Sequence, residues 1–241
     1  MTRGIDVSKH NGVIDWAKVK KNVDFAVIRT GYGRLIEQKD KQFENNYAGA
    51  KAQGIPVGCY WYSYAHSVAE AQTEARVFLE AIKGKSFEFP VYLDFEEESQ
   101  FRLGKATCSA MAKAFLEILE NAGYFAGLYS FKSALDSYFT DEVLKKYTVW
   151  VAHINVAKTT YAKPFDIWQY SWTGRVDGIT GNNKDVDCNY CYKDFPTIIK
   201  NIGLNGFPKT VEKPVETVEK QGIDVQLMIC GKQYSGTVYE D

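Results

Sequence analysis

Eight short apolar runs of strand character recur along the chain, at residues 3–7, 25–29, 56–62, 91–96, 125–129, 149–153, 167–170 and 186–189. Their number and even spread limit the fold more than any other feature. Between several of them the apolar residues change from alternate to helical spacing. Val68, Ala71, Ala75, Phe78, Leu79 and Ile82 form one stripe, and Met111, Phe115, Ile118 and Ala122 form another. Ser67 with Glu70 supplies a capping-box start for the first stripe, and Gly123 a stop for the second. After Tyr129 the helical signals shorten, and 141–146 is the one clear example before the last strands. Strands alternating with helices imply parallel strands and right-handed crossovers. Eight such units predict an α/β protein with an irregular (β/α)8-type, TIM-like barrel, trimmed in its second half. A doubly wound open sheet is the alternative.

The fourth run, Pro90-Val-Tyr-Leu-Asp-Phe-Glu96, carries two acids at alternate positions. Side chains alternate across a strand, so Asp94 and Glu96 share one face while Val91, Leu93 and Phe95 share the other. Two close carboxyls repel, which raises the pKa of one while the other stays ionised, and a glycosidase obtains its acid and its anion in this way. A solvated acidic strand end is the plain alternative, because Glu97 and Glu98 follow. Two remote acids in similar settings, Asp6 in the first run and Asp187 in the last, favour the functional reading. All four fall toward strand C-terminal ends, where barrel enzymes hold their chemistry, and only a closed barrel brings the last strand to the first.

With 45% hydrophobic and 15% aromatic residues in 241, the chain has ample material for a core. A net charge of −1 and a pI near 6.3 give no reason to expect nucleic acid. There is no Gly-rich phosphate loop. No apolar run reaches the roughly 18 to 20 residues of a membrane helix, so membrane insertion is not expected, and the start Met1-Thr-Arg-Gly-Ile5 lacks a signal-peptide core. Synthesis in the cytoplasm and action elsewhere are compatible with this. Five cysteines, Cys59, Cys108, Cys188, Cys191 and Cys230, are read as reduced thiols. Cys188 and Cys191 fit C-x-x-C, yet no second pair or histidine cluster accompanies them, so neither a metal nor a cofactor is expected. His10, His66 and His153 stand far apart.

From Pro208 the composition changes to a Pro- and charge-rich stretch in which Thr-Val-Glu-Lys occurs twice. The expected organisation is a catalytic barrel over 1–206, a linker over 207–221 and a short β-hairpin tail over 222–241, with Gly231-Lys232 as its turn. A tail of that size cannot hold its own core. Its strand edges could pair with a second copy to give a homodimer, or it is the remnant of a longer module.

The chain resembles glycoside hydrolase family 25, the muramidases often called Chalaropsis-type lysozymes and common among phage endolysins and bacterial autolysins. The carrying pieces are Gly4-Ile-Asp-Val-Ser8, Gly58-Cys-Tyr-Trp-Tyr62, Asp94-Phe-Glu96, Trp150-Val-Ala152, Trp168-Gln-Tyr-Ser171 and Asp187-Cys-Asn189, in the family's order. One departure is Trp61-Tyr62, where many members carry His and Phe after the first tyrosine. The resemblance implies cleavage of the β-1,4 bond between N-acetylmuramic acid and N-acetylglucosamine in peptidoglycan, at the bacterial cell wall. It further implies Glu96 as general acid, Asp94 as an anion stabilising an oxocarbenium-like state or a ring formed by the substrate's 2-acetamido group, and Asp6 and Asp187 as orienting groups. Tyr32, Tyr60, Tyr62, Tyr129, Trp168 and Gln169, near strand ends, are the candidate sugar contacts, with packing the competing role for each. Trp61, between Tyr60 and Tyr62, is expected to face the helices.

Acids at positions i and i+2 lie about 6.5 Å apart at Cα, between the carboxyl separations of retaining and inverting glycosidases, so stereochemistry stays open. Two rival readings are a non-catalytic peptidoglycan-binding barrel and a divalent-metal hydrolase built on the four carboxylates.

Overall fold

The computed structural model describes residues 1–209, 223–229 and 232–238, and the chain gathers into two compact units, Met1–Thr210 and Val211–Asp241. In the first unit β1 (Thr2–Val7), β2 (Phe25–Tyr32), β3 (Val57–Tyr62), β4 (Val91–Asp94), β5 (Ala126–Phe131), β6 (Thr148–Ala152), β7 (Ile167–Arg175) and β8 (Asp185–Cys191) close into a barrel in sequence order. The first seven are parallel, and β8 runs antiparallel to both β7 and β1.

That last strand corrects the expectation of parallel strands throughout. Residues 176–184 join β7 to β8 without a crossover α-helix, and a short connection of this kind returns the chain antiparallel. It also corrects the position of Asp187, which lies in the first half of β8 rather than toward its C-terminal end. Reversed direction carries that first half to the rim where β1 to β7 finish. Asp187 pairs directly with Asp6.

Strand alternation sorts the side chains into two layers. Ile5, Ile28, Cys59, Trp61, Leu93, Leu128 and Val151 face outward into the core shared with the helices, and Trp61 stacks on Phe78 with ring centroids 5.6 Å apart. Phe25, Val27, Phe89, Tyr92, Tyr129, Trp150 and Ile167 fill the lumen. Glycine makes room for the lumen rings: a Cβ on Gly127 would stand 2.4 Å from the Tyr92 ring, and one on Gly4 2.5 Å from Phe25.

The helices are α1 (Trp16–Val19), α2 (Phe43–Ala52), α3 (Val68–Ala81), α4 (Glu98–Phe101), α5 (Gly104–Asn121), α6 (Lys132–Ser137), α7 (Asp141–Lys146) and α8 (Phe195–Ile202). α3 starts at the Ser67 cap, whose hydroxyl accepts from the Glu70 amide, although the Glu70 carboxylate accepts from the His66 amide and not from Ser67 as a full capping box requires. α5 stops before Gly123 as expected, with the left-handed φ of +84°. The sequence reading passed over α2, whose apolar periodicity is weak, and α8. Asp194 caps α8, and its Phe195 and Ile199 plug the lumen floor against Phe89 and Phe125.

Phe207 still packs on this floor cluster, with Lys51 and Lys200 over its ring. Of the linker expected over 207–221, residues 210–221 lie outside the described residues, as do Cys230 and the turn at Gly231. The second unit contains an antiparallel pair, β9 (Ile223–Ile229) with β10 (Lys232–Val238).

Candidate active site

A cavity of about 320 Å³ opens at the barrel rim, and Asp6, Asp94, Glu96 and Asp187 all line it. Asp6 and Asp94 arrive on the lumen faces of β1 and β4, and Asp187 on that of β8. Glu96 lies two residues beyond the end of β4, where the backbone is still held extended by the Phe95 amide donating to the Tyr129 carbonyl at 3.1 Å. Phe95 consequently points outward, as Leu93 does, and Glu96 points back over the cavity.

Asp6 is buried, and its Oδ2 accepts two amide protons, from Gln169 Nε2 at 2.9 Å and Asn189 Nδ2 at 2.8 Å. Burial pushes its pKa up, while these bonds and one from Asp187 pull it back. The partner carboxyl of Asp187 goes much further up, through burial, the charge of Asp6 and the proton it shares with Asp6. Together the two hold one proton and one charge. Trp150 forms the cavity floor, with its ring 4.6 Å from Tyr129 and its Nε1 donating to Asn189 Oδ1 at 2.8 Å.

Asp94 is buried as well, and its Oδ1 has no hydrogen-bond partner. Burial, then Glu96, then Asp6 raise it well above the carboxylate range, against the pull of Arg29. This direction runs against the expectation that Asp94 rests ionised. The nearby cation is already engaged, because Arg29 binds Asp40 Oδ2 through Nε at 2.8 Å and Nη2 at 2.7 Å. Glu96 is half-buried, and burial first, then Asp6 and Glu97, lift it to about 7, with Tyr129 acting in the opposite direction.

Of the expected sugar contacts, Tyr60, Tyr62, Tyr129 and Gln169 line the cavity, and Tyr32 and Trp168 do not. Trp168 neighbours Gln169 on β7, so alternation turns it outward, where it packs against Tyr170 and Tyr190 and donates to the His153 carbonyl. Tyr32 stands at the rim, edge-on to Tyr64 at 5.9 Å. Sequence reasoning missed Arg29, Asn189 and Trp172. Arg29 and Asn189 were within its reach, since each continues a lumen face by two positions, after Val27 and Asp187. Trp172 was not, because bulges interrupt the alternation of β7 beyond Gln169.

Residues 5–179 match the family model for glycosyl hydrolases family 25. The chain belongs to this family. Among curated relatives it is 31% identical over 201 residues to the uncharacterized protein YegX of Escherichia coli O157:H7, covering 77% of this chain and 68% of that one. It is 30% identical over 207 residues to lysozyme M1 of Streptomyces globisporus, covering 78% and 66%. The chain thus spans about two thirds of the length of these relatives. The modular autolysin LytC of Streptococcus pneumoniae, solved with a synthetic peptidoglycan ligand, superposes with a TM-score of 0.67 at 29% identity over 79% of this chain and 46% of that one.

Among the described residues no helix is long and apolar enough to cross a membrane. Among them, too, no three His, Cys, Asp or Glu side chains are arranged to hold a metal ion. Cys188 and Cys191 lie in different layers, Cys188 in the outer core and Cys191 in the lumen, as their three-residue offset on a strand requires.

Proposed function

We propose that this family 25 protein is a muramidase that hydrolyses the β-1,4 bond between N-acetylmuramic acid and N-acetylglucosamine and so lyses bacterial cell walls. The observation that carries the reading is the contrast within the Asp94 and Glu96 pair. Glu96 reaches the cavity with a pKa near neutrality, while Asp94 lies beneath it with an unpartnered buried oxygen. Glu96 is the proton donor: it protonates the bridging oxygen as the bond from that oxygen to the anomeric carbon breaks. Positive charge then develops at the anomeric carbon. A cation there offsets the repulsion that raises Asp94, so Asp94 releases its proton to solvent water as the charge appears and stabilises it, with its free oxygen available to the 2-acetamido N–H. Water adds to the anomeric carbon and gives its proton to Glu96, and Asp94 takes a proton back from solvent as the positive charge disappears. Asp6 and Asp187 hold the background charge constant, and Tyr60 and Tyr62 offer ring faces to the sugars.

Lysozyme M1 and the LytC complex support peptidoglycan as the substrate. Clearing of purified cell walls, with mass analysis of the released muropeptides, tests the proposal: fragments must end in reducing N-acetylmuramic acid. Release ending in N-acetylglucosamine, or no release, sinks it.

A second copy is the partner proposed for the tail. By register, β9 and β10 place Ile223, Val225 and Leu227 on one face with Val238, Gly236 and Tyr234 opposite them, and an isolated two-stranded sheet is marginal in water. Light scattering on the full chain, which must give a dimer mass, tests this part.

A further inference from the structure

Glu74 on α3 is fully buried, and Arg34, the cation that acts on it, is already paired with Glu70. A carboxyl in that setting is costly unless its oxygens are bonded. The bonds come from the loop after β3. The Tyr64 amide donates to Glu74 Oε1 at 2.9 Å, and the Ser63 hydroxyl lies 2.5 Å from Oε2.

Counting protons gives the direction of the second bond. Gln100 Nε2 stands 2.8 Å from the Ala65 carbonyl, which can only accept, so this end of the amide is the nitrogen. It also donates to Ser63 Oγ at 3.2 Å, as does the Ala65 amide at 3.2 Å. With two donors arriving, the single hydroxyl proton of Ser63 goes to Glu74. Both Glu74 oxygens accept, as a carboxylate requires. Burial lifts its pKa to about 7, and the bonds from Ser63 and Tyr64 pull against that rise.

Gln100 carries the effect across to the next loop. It is the one buried residue of α4, a single turn without a side-chain cap and too short to persist unaided. Glu96 lies in the span between β4 and this turn. At the β4 end the span is fixed by the Ser63 amide on the Asp94 carbonyl at 2.9 Å and by Ser130 Oγ on the Phe95 carbonyl at 2.6 Å. Its far end hangs on Gln100, with Phe101 stacked on Tyr138. Tyr62 on Glu97 at 3.2 Å and His66 on Ser99 at 2.8 Å add ties from the same side.

We infer that Glu74 is a positioning residue: through Ser63 and Gln100 it fixes the loop after β3 to the segment carrying Glu96, and so sets where Glu96 stands over the cavity. The catalytic meaning of this tie rests on Glu96 being the proton donor, but its existence does not.

Residue-resolved amide exchange on the full chain tests the tie without substrate. The amides to read are Tyr64 and Ala65 in one loop, and Gln100 and Leu103 in the other, which donate to the Glu97 and Gln100 carbonyls. Glu74→Gln keeps the shape but puts an N–H where an acceptor stood. Exchange at all four should quicken about tenfold relative to the amides of β5, the equivalent of one charge-assisted hydrogen bond. Ser63→Ala removes the relay and should quicken Gln100 and Leu103 as much. A rise confined to Tyr64 and Ala65, an equal rise throughout β5, or an unmoved Gln100 in Ser63→Ala overturns the proposal. Should neither variant fold, wild type decides: tied loops open together, so the four amides must lose protection along one denaturant slope, and separate slopes overturn the tie. On short soluble peptidoglycan fragments Glu74→Gln should lower kcat about tenfold or more with KM nearly unchanged. Opened loops with an unchanged kcat overturn the positioning role, whereas an inactive wild type with the expected exchange counts against the muramidase reading only.

Discussion

Asp6 and Asp187 stand directly opposite one another in the antiparallel pairing of β1 with β8, so the barrel closes on a pair of carboxyls sharing a proton. The pair is asymmetric. Asp6 receives the amides of Gln169 and Asn189, whereas Asp187 gives its proton to Asp6.

Asymmetry predicts unequal mutants. Asp187→Asn retains a donor toward Asp6 and removes a carboxyl that burial holds raised, so it should leave stability at pH 7 unchanged or higher. Asp6→Ala leaves two buried amide N–H groups unsatisfied and should cost about 1–3 kcal/mol for each. Denaturant unfolding at pH 7 measures both. Equal losses would contradict the assignment of the shared proton.

Glu96→Gln should abolish wall cleavage by about 10²- to 10⁴-fold or more while the protein stays folded, because a positioned general acid contributes at least that much. Reducing-sugar release from purified walls is the measurement, with circular dichroism as the control for folding. A variant clearing walls near the wild-type rate would show that the proton comes from another group.

The pH dependence of stability has a definite sign. Asp94 and Glu96 have folded pKa values raised above the roughly 4 of unfolded carboxyls, Glu96 to about 7. Their favourable contribution is complete below pH 4 and is lost as pH rises through the folded values. Asp94→Asn removes one of these costs, so it should raise the melting temperature at pH 8, by the equivalent of about 1 kcal/mol, and leave it unchanged at pH 4. A variant less stable than wild type at pH 8 would mean that Asp94 is held as an anion after all.

Much of this site could be read from the sequence because period-two alternation is a strong local rule. It placed Asp94 with Glu96, turned Trp61 to the helices, and joined remote acids once eight strands were counted. It could equally have turned Trp168 away from Gln169, had it been applied to that pair. What stayed hidden depends on non-local choices. The direction of β8 follows from a connection without a helix, and the resting charge of Asp94 from burial and from Arg29 being spent on Asp40. Neither is written in any window of residues.

Gly127→Ala tests the lumen packing. The added methyl carbon would lie 2.4 Å from the Tyr92 ring and 2.6 Å from Thr148 Cγ2, both within the barrel wall. Tyr92 is fully buried and stands 5.2 Å from Trp150, so it can yield only by disturbing the cavity floor. A loss of about 1–3 kcal/mol, typical of overpacking, together with reduced turnover, is expected. Unfolding curves alongside an activity assay check it, and a neutral variant would show that the lumen is looser than these distances require.

The last prediction concerns the tail. Every carboxyl of the site lies within Met1–Thr210, which forms a compact unit by itself, and the helix that plugs the lumen floor ends at Ile202. Ending the chain after Thr210 keeps Phe207 in its floor cluster, which a cut just before that residue would not. Such a truncation should leave turnover of short soluble peptidoglycan fragments unchanged and should convert the proposed dimer to a monomer by light scattering. Hydrolysis of intact walls can fall without affecting this prediction, because attachment to an insoluble polymer gains from two linked copies. A large loss on short fragments would show that residues 211–241 help to build the site.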